Sequence, residues 1–162
     1  MSYRLHRRQL VGASFPEVFA FFTDPFNLEA ITPPWLGFKV LQSTDGEVRL
    51  GTRISYRLRL RGIPLRWESR IAEYVKGELF ADEMLSGPYH RWYHRHLFRP
   101  VPGGVEVEDI VTYSLPLGPL GRLAHALFVL RELQAIFAYR GHRIAQIFLS
   151  RPASPGRQAV MR

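Results

Sequence analysis

The run Tyr89-His90-Arg91-Trp92-Tyr93-His94-Arg95-His96-Leu97-Phe98-Arg99 decides how the chain folds, because its side chains sort by parity. Successive side chains of a strand point to opposite faces. Trp92, His94, His96 and Phe98 therefore share one face, and Arg91, Tyr93, Arg95 and Arg99 share the other. A sheet that only packs on a core would carry Val, Ile and Leu on its inner side. Imidazoles alternating with large rings describe the wall of a cavity instead.

Outward from this strand the same period recurs. From Thr52 to Arg61, Ile54, Tyr56, Leu58 and Leu60 point one way while Arg53, Arg57, Arg59 and Arg61 point the other. Gly62-Ile63-Pro64 turns the chain, and Leu65 to Val75 returns as an antiparallel partner with Trp67, Ser69 and Ile71 inward. Tyr3 to Val11, Leu36 to Gln42, Glu47 to Leu50, Leu79 to Leu85 and Val105 to Leu115 read as further strands separated by Gly- and Pro-bearing turns. About seven strands in meander order predict one antiparallel sheet.

Two short helices interrupt the strands early. Ser14 with Glu17 three residues on forms a capping box for Phe15 to Phe22. Asp24-Pro25 punctuates that helix before a second one through Ala30. Thr32-Pro33-Pro34 stops the pair, and Trp35 opens an extended segment. After Leu117-Gly118-Pro119 the period becomes helical, with apolar residues at Leu120, Leu123, Ala124, Leu127, Leu133, Ile136, Phe137, Ile144, Ile147 and Phe148. A helix from Pro119 to about Leu149 would extend roughly 45 Å, long enough to cross a sheet. The stretch near Val129 and Gly141 are its candidate bends. The expected class is α+β: a curved antiparallel sheet gripping a long C-terminal helix, with two short helices after strand one. One domain is expected over 1–150, and 151–162, with Pro152, Pro155 and Gly156, is expected to be a disordered tail.

Composition narrows the function classes. With 162 residues, 46% hydrophobic and 13% aromatic, the chain can bury the core of one domain. It has no cysteine, so disulfides, thiolate metal sites and a cysteine nucleophile are excluded. The first residues carry no apolar secretory stretch and no segment reaches the roughly twenty apolar residues of a membrane span, so a cytoplasmic location is expected. The net charge of +8 points to anionic partners. It equally reflects an arginine bias, since only Lys39 and Lys76 among the 22 basic residues are lysine.

This order of elements resembles the START-like, helix-grip (SRPBCC) superfamily of birch-pollen-type allergens, polyketide cyclases and lipid-transfer domains. The resemblance spans about Tyr3 to Leu149. It rests on that order and on Ile31-Thr32-Pro33-Pro34-Trp35, Gly87-Pro88-Tyr89, Trp92-x-His94-x-His96-x-Phe98 and Leu115-Pro116-Leu117-Gly118, which look most like a bacterial ligand-binding branch. It implies a hydrophobic or amphipathic ligand such as a lipid, quinone or polyketide, held between sheet and helix. It transfers no catalytic residue.

Strand phase supplies the site candidates. Phe80, Asp82 and Met84 share one face, as do Val105, Val107, Asp109, Val111 and Tyr113. An aspartate on an apolar face needs a partner, and His94 and His96 on the intervening strand are the natural ones. The expected ligand-binding set is Tyr56, Trp67, Phe80, Asp82, Met84, Trp92, His94, His96, Phe98, Asp109, Tyr113 and Phe137. Three readings of the polar members stand side by side. They satisfy one another and orient a ligand's polar end. Or they catalyse a polyketide cyclisation or dehydration, with His94 or His96 moving a proton, Asp82 or Asp109 fixing its tautomer and Tyr113 donating to an oxyanion. Or His94-x-His96 with carboxylates binds a metal, for which the pattern is adequate but nonspecific. No cofactor and no metal are expected. Arg57, Arg59 and Arg61 would lie on the outer sheet face, suited to transient contact with an anionic membrane. Nucleic acid is not the expected partner, because the aromatics that could stack on bases lie on the opposite face.

Overall fold

Alternation along the chain becomes one seven-stranded antiparallel sheet in the computed structural model, which describes residues Met1 to Leu149. The tail expected to be disordered lies outside the described residues. The strands are β1 (Tyr3–Val11), β2 (Lys39–Ser43), β3 (Arg53–Leu60), β4 (Ile63–Val75), β5 (Leu79–Ser86), β6 (Arg91–Val101) and β7 (Gly104–Ser114). Their spatial order is β1-β7-β6-β5-β4-β3-β2, a meander whose last strand is joined by the first. Register does the decisive work for the site. His94 on β6 lies opposite Asp82 on β5, and His96 lies opposite Asp109 on β7. A slip of one residue would turn all four side chains to the other face. Register shifts at Glu68/Ser69 and Ile71/Glu73 mark bulges between β4 and β5, and bulges bend a sheet so that it can wrap.

Helices cover one side. α1 (Phe15–Thr23) follows β1 with its capping box formed, the Ser14 amide donating to Glu17 Oε2 at 3.1 Å. A 3-10 segment, Pro25–Ile31, comes next. The C-terminal rod consists of α2 (Gly118–Ala124), a π-helical turn (His125–Val129) and α3 (Leu130–Leu149). The expected irregularity near Val129 is that π turn, which absorbs an extra residue without ending the rod. At Gly141 α3 continues unbroken, and Gln9 Nε2 of β1 donates to its carbonyl at 2.7 Å. α3 buries Leu133, Phe137, Arg140, Ile144 and Phe148, one stripe at helical spacing. Each buried Leu, Ile or Phe contributes about 1.5–3 kcal/mol of transfer free energy. No described helix is long and apolar enough to cross a membrane.

Three sequence expectations need correction. Glu47 to Leu50 is not a strand: Val48 is buried and its amide donates to the Thr23 carbonyl at 2.8 Å, tying the segment to the end of α1. Trp35 does not open an extended segment but sits in a single 3-10 turn, Pro34–Leu36, closed by Gly37 at φ 50°. Arg61 leaves the outer sheet face. It occupies the β3–β4 turn with φ 52° and its guanidinium lies 5.2 Å from the Phe128 ring centroid on the π turn.

Candidate functional site

Between the sheet and α3 lies a cavity of about 170 Å³. Its walls are apolar and largely aromatic: Tyr56, Trp67, Phe80 and Trp92 from the sheet, Phe22 from α1, and Leu133, Ile136 and Phe137 from α3. One region is polar, formed by Asp82, His94, His96 and Arg140. Ser69 fixes two of the wall rings, since its hydroxyl lies 2.9 Å from the Tyr56 hydroxyl and accepts from Trp67 Nε1 at 3.0 Å.

The polar cluster is ordered front to back. His94 Nε2 donates to Asp109 Oδ1 at 2.9 Å, and His96 Nε2 donates to Asp82 Oδ2 at 3.2 Å. His96 Nδ1 approaches the same Asp109 oxygen at 2.9 Å, an ion-pair contact without an aligned hydrogen bond. The His94 Nε2 proton is thereby assigned, leaving Nδ1 as a lone pair 3.7 Å from Asp82 Oδ2. Asp109 sits behind both imidazoles. It lines a second cavity, of about 260 Å³, between β1 and α3. Arg140 borders both cavities, its Nη2 3.9 Å from Asp109 Oδ1.

These contacts push the two imidazoles apart. Burial and the neighbouring charge of His96 lower His94 below the ordinary histidine value, outweighing both aspartates. Burial also acts against charge on His96, but Asp109 and Asp82 reverse its effect and raise this imidazole. Burial would raise both carboxyls, yet each ends below the usual range. The charge of Arg140 and the hydrogen bonds of His94 and His96 hold Asp109 far down, while the His96 hydrogen bond and the imidazole charges lower Asp82. The cluster thus sets an imidazole held below the ordinary histidine value beside one held above it, together with two lowered carboxyls and a guanidinium. Burial and the charge of Asp82 raise the Tyr56 phenol well above its ordinary value, so it remains a hydroxyl.

Among the expected lining residues, Tyr56, Trp67, Phe80, Asp82, Trp92, His94, His96 and Phe137 border the cavity. Four do not. Phe98 is on the same face but farther along β6, packed 5.3 Å from both Phe19 and Phe22. Tyr113, expected to aim at a ligand, engages His125 at 2.9 Å through its hydroxyl, and His125 stacks on Tyr3. Met84 lies beyond Trp67 beside Gly87, and Asp109 stands behind the imidazoles. Phase gives the face of a residue, not how far along the strand the cavity reaches. Asp82, His94 and His96 hold ligand atoms within 4.8 Å of one another, spacing that could accommodate a metal ion. The adjacent guanidinium works against a second cation. Sequence reading missed Arg140. Its signal is the one polar residue on the stripe Leu133, Phe137, Arg140, Ile144, Phe148.

The model of the family described as polyketide cyclase/dehydrase and lipid transport matches residues 11–135. No curated protein matches the chain in sequence. Among solved structures, TTHA0849 from Thermus thermophilus is 21% identical, with TM-score 0.64, over 93% of this chain and 98% of its own. Ara h 8.0201 is 13% identical with TM-score 0.67, over 93% of this chain and 100% of its own. Norcoclaurine synthase from Thalictrum flavum is 13% identical with TM-score 0.66, over 93% of this chain and 88% of its own. At these identities the likeness speaks for the fold.

Proposed function

From the premise that the chain belongs to the polyketide cyclase/dehydrase and lipid transport family, we propose that it binds a compact amphipathic small molecule between sheet and α3. The observation that carries the reading is an apolar, aromatic-walled cavity with a charged cluster, Asp82, His94, His96 and Arg140, in one part of its lining. That is the design of a ligand site, in which apolar area gives affinity and a few polar groups fix orientation. Size selects within the class. A cavity of roughly 150 Å³ with apolar walls accepts benzene, so about 170 Å³ suits a one- or two-ring body better than a long acyl chain. Native mass spectrometry of the freshly purified protein tests this. A bound small molecule lost on denaturation supports the reading; an empty protein that also ignores a panel of compact aromatics overturns it.

A second reading, cyclase or dehydratase chemistry, is favoured by one observation: the His94 and His96 rings lie 3.8 Å apart with His94 lowered and His96 raised, a base candidate beside an acid candidate. Environments that push two groups apart are how one site performs both proton transfers. Replacing His94 with Gln would then remove turnover and spare ligand affinity.

Membrane contact would draw on Arg57 and Arg59, which stay exposed on the outer sheet face, and on a second surface. Leu120, Leu123 and Leu127 are exposed on α2 and the π turn, with Arg61 beside Phe128 at the same end. Exposed leucines next to guanidiniums suit an anionic lipid surface.

A further inference from the structure

Arg140 is the least satisfied charge in the cavity. It is 9% exposed, and a buried guanidinium is costly unless its donors are paired. Of the five N–H donors that arginine carries, none hydrogen-bonds to another described residue, and Nε is sealed from solvent with no partner. The nearest carboxylate oxygen, Asp109 Oδ1, is 3.9 Å away, beyond hydrogen-bond reach. Asp109 is also committed elsewhere, to His94 and His96 at 2.9 Å each. Two rings hold the guanidinium in place, with Phe22 and Phe137 centroids 5.7 and 6.0 Å from its central carbon. With Nε sealed, the two Nη groups are the donors left for a ligand in a cavity that Arg140 borders.

We propose that the ligand of this cavity is an organic acid whose carboxylate is taken by Arg140 while its ring body fills the aromatic chamber. This rests on the ligand-binding reading above and specifies the ligand's class. Guanidinium and carboxylate match in shape, two parallel N–H···O bonds meeting two oxygens. A carboxylate is also the anion that the rest of the cluster tolerates. With Asp82 and Asp109 already in the cluster, a carboxylate adds one further negative charge, whereas a phosphate monoester would add about two at neutral pH. The cavity volume of about 170 Å³ limits the body to one or two rings.

Isothermal titration of the full chain with 2-naphthylacetic acid, 3-phenylpropionic acid and their methyl esters decides the matter. The acids are expected to bind at least about tenfold more tightly than the esters, equivalent to about 1.4 kcal/mol. Arg140→Gln should bring each acid to the level of its ester. Arg140→Lys should restore part of the preference, since a point charge replaces the fork. Esters that bind as well as the acids overturn the inference and leave ligand binding standing, as does an undiminished acid preference in Arg140→Gln. If no acid or ester binds, both readings fall. The acid and ester comparison on the unchanged chain holds even if Arg140→Gln does not fold.

Discussion

Asp109→Asn tests the buried cluster most sharply, because the substitution keeps the shape of the side chain and removes its charge. Asp109 is 8% exposed and bears on three groups: His94 through a 2.9 Å hydrogen bond, His96 Nδ1 at 2.9 Å and Arg140 at 3.9 Å. Taking one partner from a buried ion pair costs about 3–5 kcal/mol, since the other charge stays buried and uncompensated. Partial relief comes from His96, which loses one of the two carboxylates that keep it charged and can release its proton. The lower end, about 3 kcal/mol, is therefore expected. For a chain of this length each kcal/mol moves Tm by roughly 2–4 °C, so the melting temperature should fall by about 6–12 °C. Urea unfolding followed by tryptophan fluorescence gives the same quantity independently. Asp109→Asn combined with Arg140→Gln should cost less than the sum of the two single changes. A loss under about 1 kcal/mol, or strict additivity, would refute the claim that Asp109 neutralises buried cations.

Other consequences follow from the same contacts. Ser69→Ala leaves the Tyr56 hydroxyl and Trp67 Nε1 without their shared partner, so a stability loss of about 1–3 kcal/mol is expected in urea unfolding. The two imidazoles should give opposite pH signatures. His96 is raised in the folded state, so its stabilisation is full below the unfolded value near 6.5 and disappears as pH rises through the folded value. The stability gap between the unchanged chain and His96→Gln should therefore narrow as pH rises above about 6.5 and through the raised folded value. His94 is lowered, so the unfolded chain takes up its proton first as pH falls below about 6.5, and the corresponding gap for His94→Gln should widen with rising pH. Gly104→Ala places a Cβ about 2.0 Å from the Val11 carbonyl oxygen at a φ of 150°, so the β1–β7 edge must shift and Tm should drop by several degrees. Binding to vesicles containing anionic phosphatidylserine should weaken with added salt and with Leu123→Glu; retention that ignores both removes the membrane reading.

The sheet was legible because its residues obey a period of two with little competition. His94 and His96 share a face with Phe98, and register alone then sets them opposite Asp82 and Asp109. The rod was legible from the helical spacing of Leu133, Phe137, Ile144 and Phe148. What escaped the sequence depends on distances between elements. Val48 alternates like a strand residue, but tertiary contact with the end of α1 captures its backbone. Tyr113 has the correct phase for the cavity, yet the π turn brings His125 within reach of its hydroxyl. Arg140 escaped for a related reason. A lone arginine within an apolar stripe passes as a solvated position until the packing shows it buried between Phe22 and Phe137.

The three tryptophans make the most direct measurement possible, because each has its own indole signal in a nitrogen-15 correlated NMR spectrum. Trp67 and Trp92 border the cavity, whereas Trp35 is 53% exposed, with its indole nitrogen donating to Glu132. Titration with 2-naphthylacetic acid should shift the Trp67 and Trp92 signals saturably and leave that of Trp35 in place. Movement of Trp35 alone, or of none of the three, contradicts a ligand chamber between sheet and helix.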